Sequence, residues 1–114
     1  MVRYFAAIGL LLLATEASAQ ACQEIRFAPG AVSGDVQGQV SEGQPLCFSF
    51  ATGAGQTARL QLSGTQNACF NVRGLVDCQD DFSFRTAARS YQVDVHQLFR
   101  GPGAETFSLQ LSIR

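Results

Sequence analysis

The stretch FSLQLSI at residues 107–113 sets Phe107, Leu109, Leu111 and Ile113 against Ser108, Gln110 and Ser112 in strict alternation. A strand turns successive side chains to opposite faces, so a period of two collects these apolar groups on one buried face. A helix would scatter them around its circumference. The same alternation recurs upstream. Tyr91, Val93 and Val95 alternate with Gln92, Asp94 and His96; Ala58, Leu60 and Leu62 with Arg59 and Gln61; and Leu46, Phe48 and Phe50 with Cys47 and Ser49. Shorter stretches read as strands at Ile25 and Phe27, at Ala68, Phe70 and Val72, and at Phe82 and Phe84. A further one, from Val36 to Val40, is weakened by Gly38.

Turn residues separate these stretches: Pro29-Gly30, Gly53 and Gly55, Gly64, Gly74 and the acidic Asp80-Asp81. No segment after the first twenty residues sustains an apolar i, i+3, i+4, i+7 pattern, so almost no helix is expected there. About eight short strands with glycine-rich turns predict an all-β fold, a small antiparallel β-sandwich.

The amino terminus has a different character. Arg3 precedes an apolar run from Phe5 to Ala14 that closes on Ala17-Ser18-Ala19. That run is about half the ~20 residues that a bilayer-spanning helix needs. It reads as a cleavable secretory signal over residues 1–19, with cleavage after Ala19 preferred and after Ala21 as the alternative. Lipid attachment at Cys22 is disfavoured, because no Leu stands three residues before it and three cysteines would remain. Residues 20–114 are then one domain, exported to the periplasm or secreted.

Cys22, Cys47, Cys69 and Cys78 all lie beyond that cut. An even set in an exported chain reads as a disulfide framework. The spacings hold no close Cys pair and the chain has one His, which is not the pattern of a zinc site. Of the three connectivities possible, Cys22 with Cys47 and Cys69 with Cys78 is preferred. The second of these closes the short hairpin-like stretch CFNVRGLVDC.

Removing Arg3 and Glu16 leaves seven Arg against eight acids and no Lys. A net charge of −1 without a basic stripe argues against nucleic acid or an anionic membrane as partner. The inventory for catalysis is thin. His96 lacks a nucleophile elbow or catalytic-cysteine signature to work with, and its phase opposite Val93 and Val95 puts it on a solvent-facing side. Asp77, Asp80 and Asp81 lack the spacing of a calcium loop and read as a solvated turn. No cofactor or metal is expected. The domain is expected to bind rather than to catalyse.

Four strings carry a resemblance: IRFAPGAVSGDVQGQV at 25–40, CFSFATGAGQTARLQL at 47–62, SYQVDVHQLF at 90–99 and FSLQLSIR at 107–114. Together they resemble the pre-peptidase C-terminal domain family of bacterial secreted β-sandwiches. Within it the chain is most similar to the periplasmic inhibitors of goose-type lysozyme. The matching features are the Phe27-x-Pro29-Gly30-Ala31 start, the Ala54-Gly55-Gln56 turn, the Tyr91-x-Val93-Asp94-Val95 strand, a loop bearing Arg100, and the Phe107-Ser-Leu-x-Leu111 end. The resemblance implies a lysozyme-like muramidase as protein partner, blocked by an Arg-bearing loop entering its cleft. On that reading Arg100 is the inserted residue, with Phe99, Asp94, His96 and Tyr91 as further partner-binding residues. The alternative is a non-catalytic secreted module binding carbohydrate or another cell-envelope protein.

Overall fold

The computed structural model describes residues 22–114. The signal segment and both cleavage sites lie outside the described residues. Nine strands follow one another: β1 (Gln23–Glu24), β2 (Ser33–Val40), β3 (Leu46–Thr52), β4 (Thr57–Ser63), β5 (Ala68–Val72), β6 (Val76–Gln79), β7 (Asp81–Arg85), β8 (Arg89–Gln97) and β9 (Glu105–Ile113). Among the described residues there is no helix. The strands form a five-stranded sheet ordered β1-β3-β8-β5-β6 and a four-stranded sheet ordered β2-β9-β4-β7. Every neighbouring pair is antiparallel except the two-residue β1, which runs parallel to β3. The chain passes from one sheet to the other at almost every connection, and among the described residues β5–β6 is the one hairpin whose strands pair directly.

Alternation decides which faces meet. Across β3 and β8, Leu46, Phe48 and Phe50 stand opposite Val95, Val93 and Tyr91. Across β4 and β9, Ala58, Leu60 and Leu62 stand opposite Ile113, Leu111 and Leu109. These two apolar faces pack together, with Phe48 edge-on to Phe107 at 6.1 Å and Phe84 edge-on to Tyr91 at 5.0 Å. Phe48, Phe70, Leu60, Leu109 and Leu111 are all but fully buried. Each contributes about 1.5–3 kcal/mol of apolar transfer.

Two stretches depart from the sequence reading. Ile25 and Phe27 do not form a strand, although Ile25 is buried and its N–H donates to the Ser49 carbonyl. They pack on the core as extended loop beside β1. Conversely Gly38 does not weaken β2, which pairs with β9 along all eight of its residues. Gly34 and Gly38 face inward, where a Cβ would lie 2.8 Å from the Arg26 carbonyl oxygen and 2.8 Å from Leu46 Cδ1 respectively. Close approach, rather than a bend, is why glycine stands at both positions.

The disulfides are Cys22–Cys47 and Cys69–Cys78, the preferred pairing. The first ties β1 to β3 and the second spans the β5–β6 hairpin. β6 had no counterpart in the alternation reading. Its Cys78 takes a positive φ of 42° and the β5–β6 register shifts beside it, which is the irregularity expected of a bulged edge strand.

Candidate functional site

Because Tyr91, Val93 and Val95 face the core, Gln92, Asp94 and His96 project from the outer face of the five-stranded sheet. In register beside them stand Cys47 of β3 and Cys69 and Asn71 of β5, also outward. Both disulfides therefore lie on this outer face, one on each side of β8. Asp94 accepts from Arg73 Nε at 3.4 Å and from Gln92 Nε2 at 3.4 Å. His96 Nε2 lies 3.2 Å from Asn71 Oδ1 and 3.5 Å from Cys69 Sγ, and the Cys78 N–H donates to the same Asn71 oxygen at 2.7 Å. The His96 ring thus covers the second disulfide. An open concavity of about 800 Å³ lies beside the Cys22–Cys47 disulfide, lined also by Asn71, Arg73, Gln92, Asp94 and His96.

The second surface is the end of the sandwich where β8 leaves the sheet. Residues 98–104 project there, and Gln97 Nε2 closes their base by donating to the Gly103 carbonyl at 2.8 Å. Leu98 is 43% exposed and Phe99 72% exposed, against a core that holds most of the other phenyl rings. Phe99 is nevertheless fixed through its main chain. Its N–H donates to Asn67 Oδ1 at 2.8 Å and its carbonyl accepts from Asn67 Nδ2 at 2.9 Å. Arg100 follows, its side chain 89% exposed, with Nε 3.3 Å from Glu42 Oε2. Glu42 sits in the β2–β3 turn, where the Gln44 N–H donates to the Ser41 carbonyl and Gly43 supplies the positive φ of 74° the turn requires.

The structure divides the residues singled out from sequence into three groups. Phe99 and Arg100 share the first half of loop 98–104. Asp94 and His96 lie on the sheet face, although His96 also borders the hollow beneath Glu42 and Arg100, which joins the two surfaces. Tyr91 stands apart. It is buried between Phe50 and Phe84, its hydroxyl accepts the Ala87 N–H at 2.9 Å, and the Arg89 guanidinium covers its ring at 4.5 Å. It is six residues from the end of β8, about 20 Å along a strand. Its side chain is packed in the core, away from Phe99 and Arg100. Asn67, Glu42 and Arg73 went unnoticed in the sequence, because each acquires its role from a residue distant in the chain.

All four cysteines are bonded to one another, so none offers a thiolate. Among the described residues no three His, Asp, Glu or Cys side chains converge on a point where a metal could sit.

No family model and no curated protein sequence matches the chain. Solved structures do. The crystal structure of Aeromonas hydrophila PliG, a periplasmic inhibitor of g-type lysozyme, superposes with a TM-score of 0.70 at 23% identity, over 82% of this chain and 96% of that one. This chain has the fold of PliG. Salmonella Typhimurium PliG, another periplasmic inhibitor of g-type lysozyme, superposes at 0.66 and 18% identity, over 83% of this chain and all of that one. The pre-peptidase C-terminal domain of a Bacillus anthracis collagenase superposes at 0.52 and 10% identity, over 85% of this chain and all of that domain. The two families that the sequence strings resemble are thus the two whose sandwich the chain shares.

Proposed function

We propose that the mature chain, residues 20–114 after removal of a signal peptide, is a periplasmic, non-catalytic inhibitor of goose-type lysozyme that works by inserting loop 98–104 into the enzyme's cleft. One observation carries the reading. On a sandwich shared with PliG, the chain holds a rigidly based loop that carries an exposed Phe99 and an exposed Arg100. A lysozyme cleft contains an essential carboxylate. A guanidinium can meet a carboxylate with two parallel hydrogen bonds, and such a charge-assisted pair strengthens once the cleft excludes water.

The steps follow from the chain's own residues. Arg100 leaves Glu42, a partner it meets in solvent, and exchanges it for a carboxylate in a drier site. Phe99 enters beside it and loses its exposed apolar surface. Gln97 and Asn67 keep the base of the loop fixed, so little ordering remains to be done on binding. Asp94 and His96 extend the contact surface along the sheet face below the loop.

Turbidity loss of peptidoglycan-bearing cells tests this. Purified oxidised protein is expected to suppress lysis by goose-type lysozyme and to leave chicken-type lysozyme active. Undiminished lysis by the goose-type enzyme at a large molar excess of the protein overturns the proposal.

The polar concavity beside the Cys22–Cys47 disulfide favours a second reading, a module for carbohydrate or another cell-envelope partner. Its floor offers Asn71, Gln92, Asp94 and Arg73 as hydrogen-bonding groups, but none of its lining residues is Phe or Tyr, and so it gives a sugar ring no aromatic platform. Retention on a peptidoglycan or glycan matrix without lysozyme inhibition is the result this reading requires.

A further inference from the structure

We infer that Asn67 is a positioning residue that presents Phe99 as the anchoring side chain for a folded protein partner, one whose surface offers an apolar slot beside a carboxylate. The inference rests on the inhibitor reading above and deepens it by naming the anchor.

A single exposed apolar side chain on a loop is ordinary. Phe99 differs in how its main chain is held. The Asn67 side-chain amide bonds the Phe99 N–H with its oxygen and the Phe99 carbonyl with its nitrogen, at 2.8 and 2.9 Å. One side chain thereby mimics a strand neighbour, although β5 begins only at Ala68 and β8 has already ended at Gln97. The Leu98 N–H adds a third bond, to the Asn67 carbonyl at 3.1 Å.

Asn67 is itself held. Its N–H donates to Thr65 Oγ1 at 3.1 Å, and that hydroxyl donates to Glu105 Oε1 at 2.6 Å. A continuous hydrogen-bonded path therefore runs from the start of β9, through the β4–β5 loop, to the backbone of Phe99. With its main chain so held, Phe99 is still 72% exposed.

An immobilised backbone carrying a free aromatic side chain is the arrangement that makes a binding hot spot, because the ordering is complete before the partner arrives. The partner's chemistry follows from the neighbours. Leu98 widens the apolar contact and Arg100 adds a cation one residue on, so the complementary surface pairs a hydrophobic slot with an acidic group.

The test is a double-mutant cycle on inhibition of goose-type lysozyme with wild type, Asn67→Ala, Phe99→Ala and the double variant. Asn67→Asp is a further variant, which keeps the acceptor for the Phe99 N–H and loses the donor. Hydrogen exchange of the Phe99 amide is followed in parallel, with Val93 and Leu109 amides reporting on the two sheets. Phe99→Ala is expected to weaken inhibition at least tenfold. Asn67→Ala is expected to weaken it about tenfold in the wild-type background and less than about twofold beside Phe99→Ala, with Asn67→Asp in between. Exchange at Phe99 is expected to accelerate at least tenfold in Asn67→Ala while Val93 and Leu109 stay protected.

Unchanged inhibition by Phe99→Ala overturns the anchor, and equal losses in both backgrounds overturn its dependence on Asn67. Unchanged exchange at Phe99 overturns the clamp itself, whatever lysozyme does. Failure of the wild type to inhibit at all overturns the inhibitor reading, and the anchor's target with it.

Discussion

Arg100 Nε lies 3.3 Å from Glu42 Oε2, joining the β8–β9 loop to the β2–β3 turn across the end of the sandwich. Both side chains are well exposed, and pairs of this kind contribute little to stability. On the proposed mechanism their consequence is for binding, since Arg100 has to leave Glu42 to reach a partner's carboxylate. Glu42→Gln is therefore expected to leave thermal stability unchanged and to lower the inhibition constant for goose-type lysozyme two- to fivefold. Titration of lysozyme activity with both proteins measures this, and a weaker variant contradicts the exchange.

The disulfides differ in what they close. Cys22–Cys47 spans 25 residues and Cys69–Cys78 spans nine. In the chain-entropy model these loops correspond to about 3.5 and about 2.6 kcal/mol of stabilisation. Replacing each pair by Ala is expected to lower urea stability in that order, with the Cys22–Cys47 pair costing more. Cys69 is buried beneath His96, so a larger cost at Cys69–Cys78 would show packing on the sheet face to outweigh loop closure.

Arg59 donates to both oxygens of Asp81, at 3.0 and 2.7 Å, and ties β4 to the edge strand β7. This hydrogen bonding holds the Asp81 carboxyl below its ordinary value. A carboxyl depressed in the folded state adds stability above its unfolded value of about 4, and that stability disappears as pH falls through the lower folded value. Asp81→Asn is expected to be slightly less stable than wild type near neutral pH and to match it by about pH 2. Urea midpoints at the two pH values decide, and a gap that persists in acid contradicts the assignment.

Gly34 and Gly38 both face the core, but the neighbours that an added Cβ would meet are not alike. At Gly34 the obstacle includes the Arg26 backbone oxygen at 2.8 Å, and at Gly38 the side chains of Leu46 and Phe107. Backbone yields less readily than a methyl group. Gly34→Ala is therefore expected to cost more than Gly38→Ala, both within about 1–3 kcal/mol. Thermal unfolding of the two variants ranks them.

The sandwich was legible because most of its strands bury one face and wet the other. β8 and β9 announce themselves through Val93-x-Val95 and Leu109-x-Leu111, and the pairing of Cys69 with Cys78 follows from the hairpin between them. β6 was hidden, since Val76-Asp-Cys-Gln holds one large apolar residue and Cys78 leaves regular strand geometry. Ile25 and Phe27 show the opposite error, where alternation marks burial without strand pairing. Of the proposed binding surface, Phe99 and Arg100 were visible as unusual loop residues. Asn67 and Glu42 were not, because an amide that bonds a backbone 32 residues away leaves no periodic trace.

On the proposed function, Phe99 and Arg100 of loop 98–104 inhibit goose-type lysozyme. The most direct measurement is a titration of that enzyme's lytic activity with wild type and with Arg100→Ala, both oxidised and of equal thermal stability. Near-stoichiometric inhibition by wild type is expected, weakened at least tenfold in the variant. Equal inhibition by the two proteins, or none by either, would contradict it.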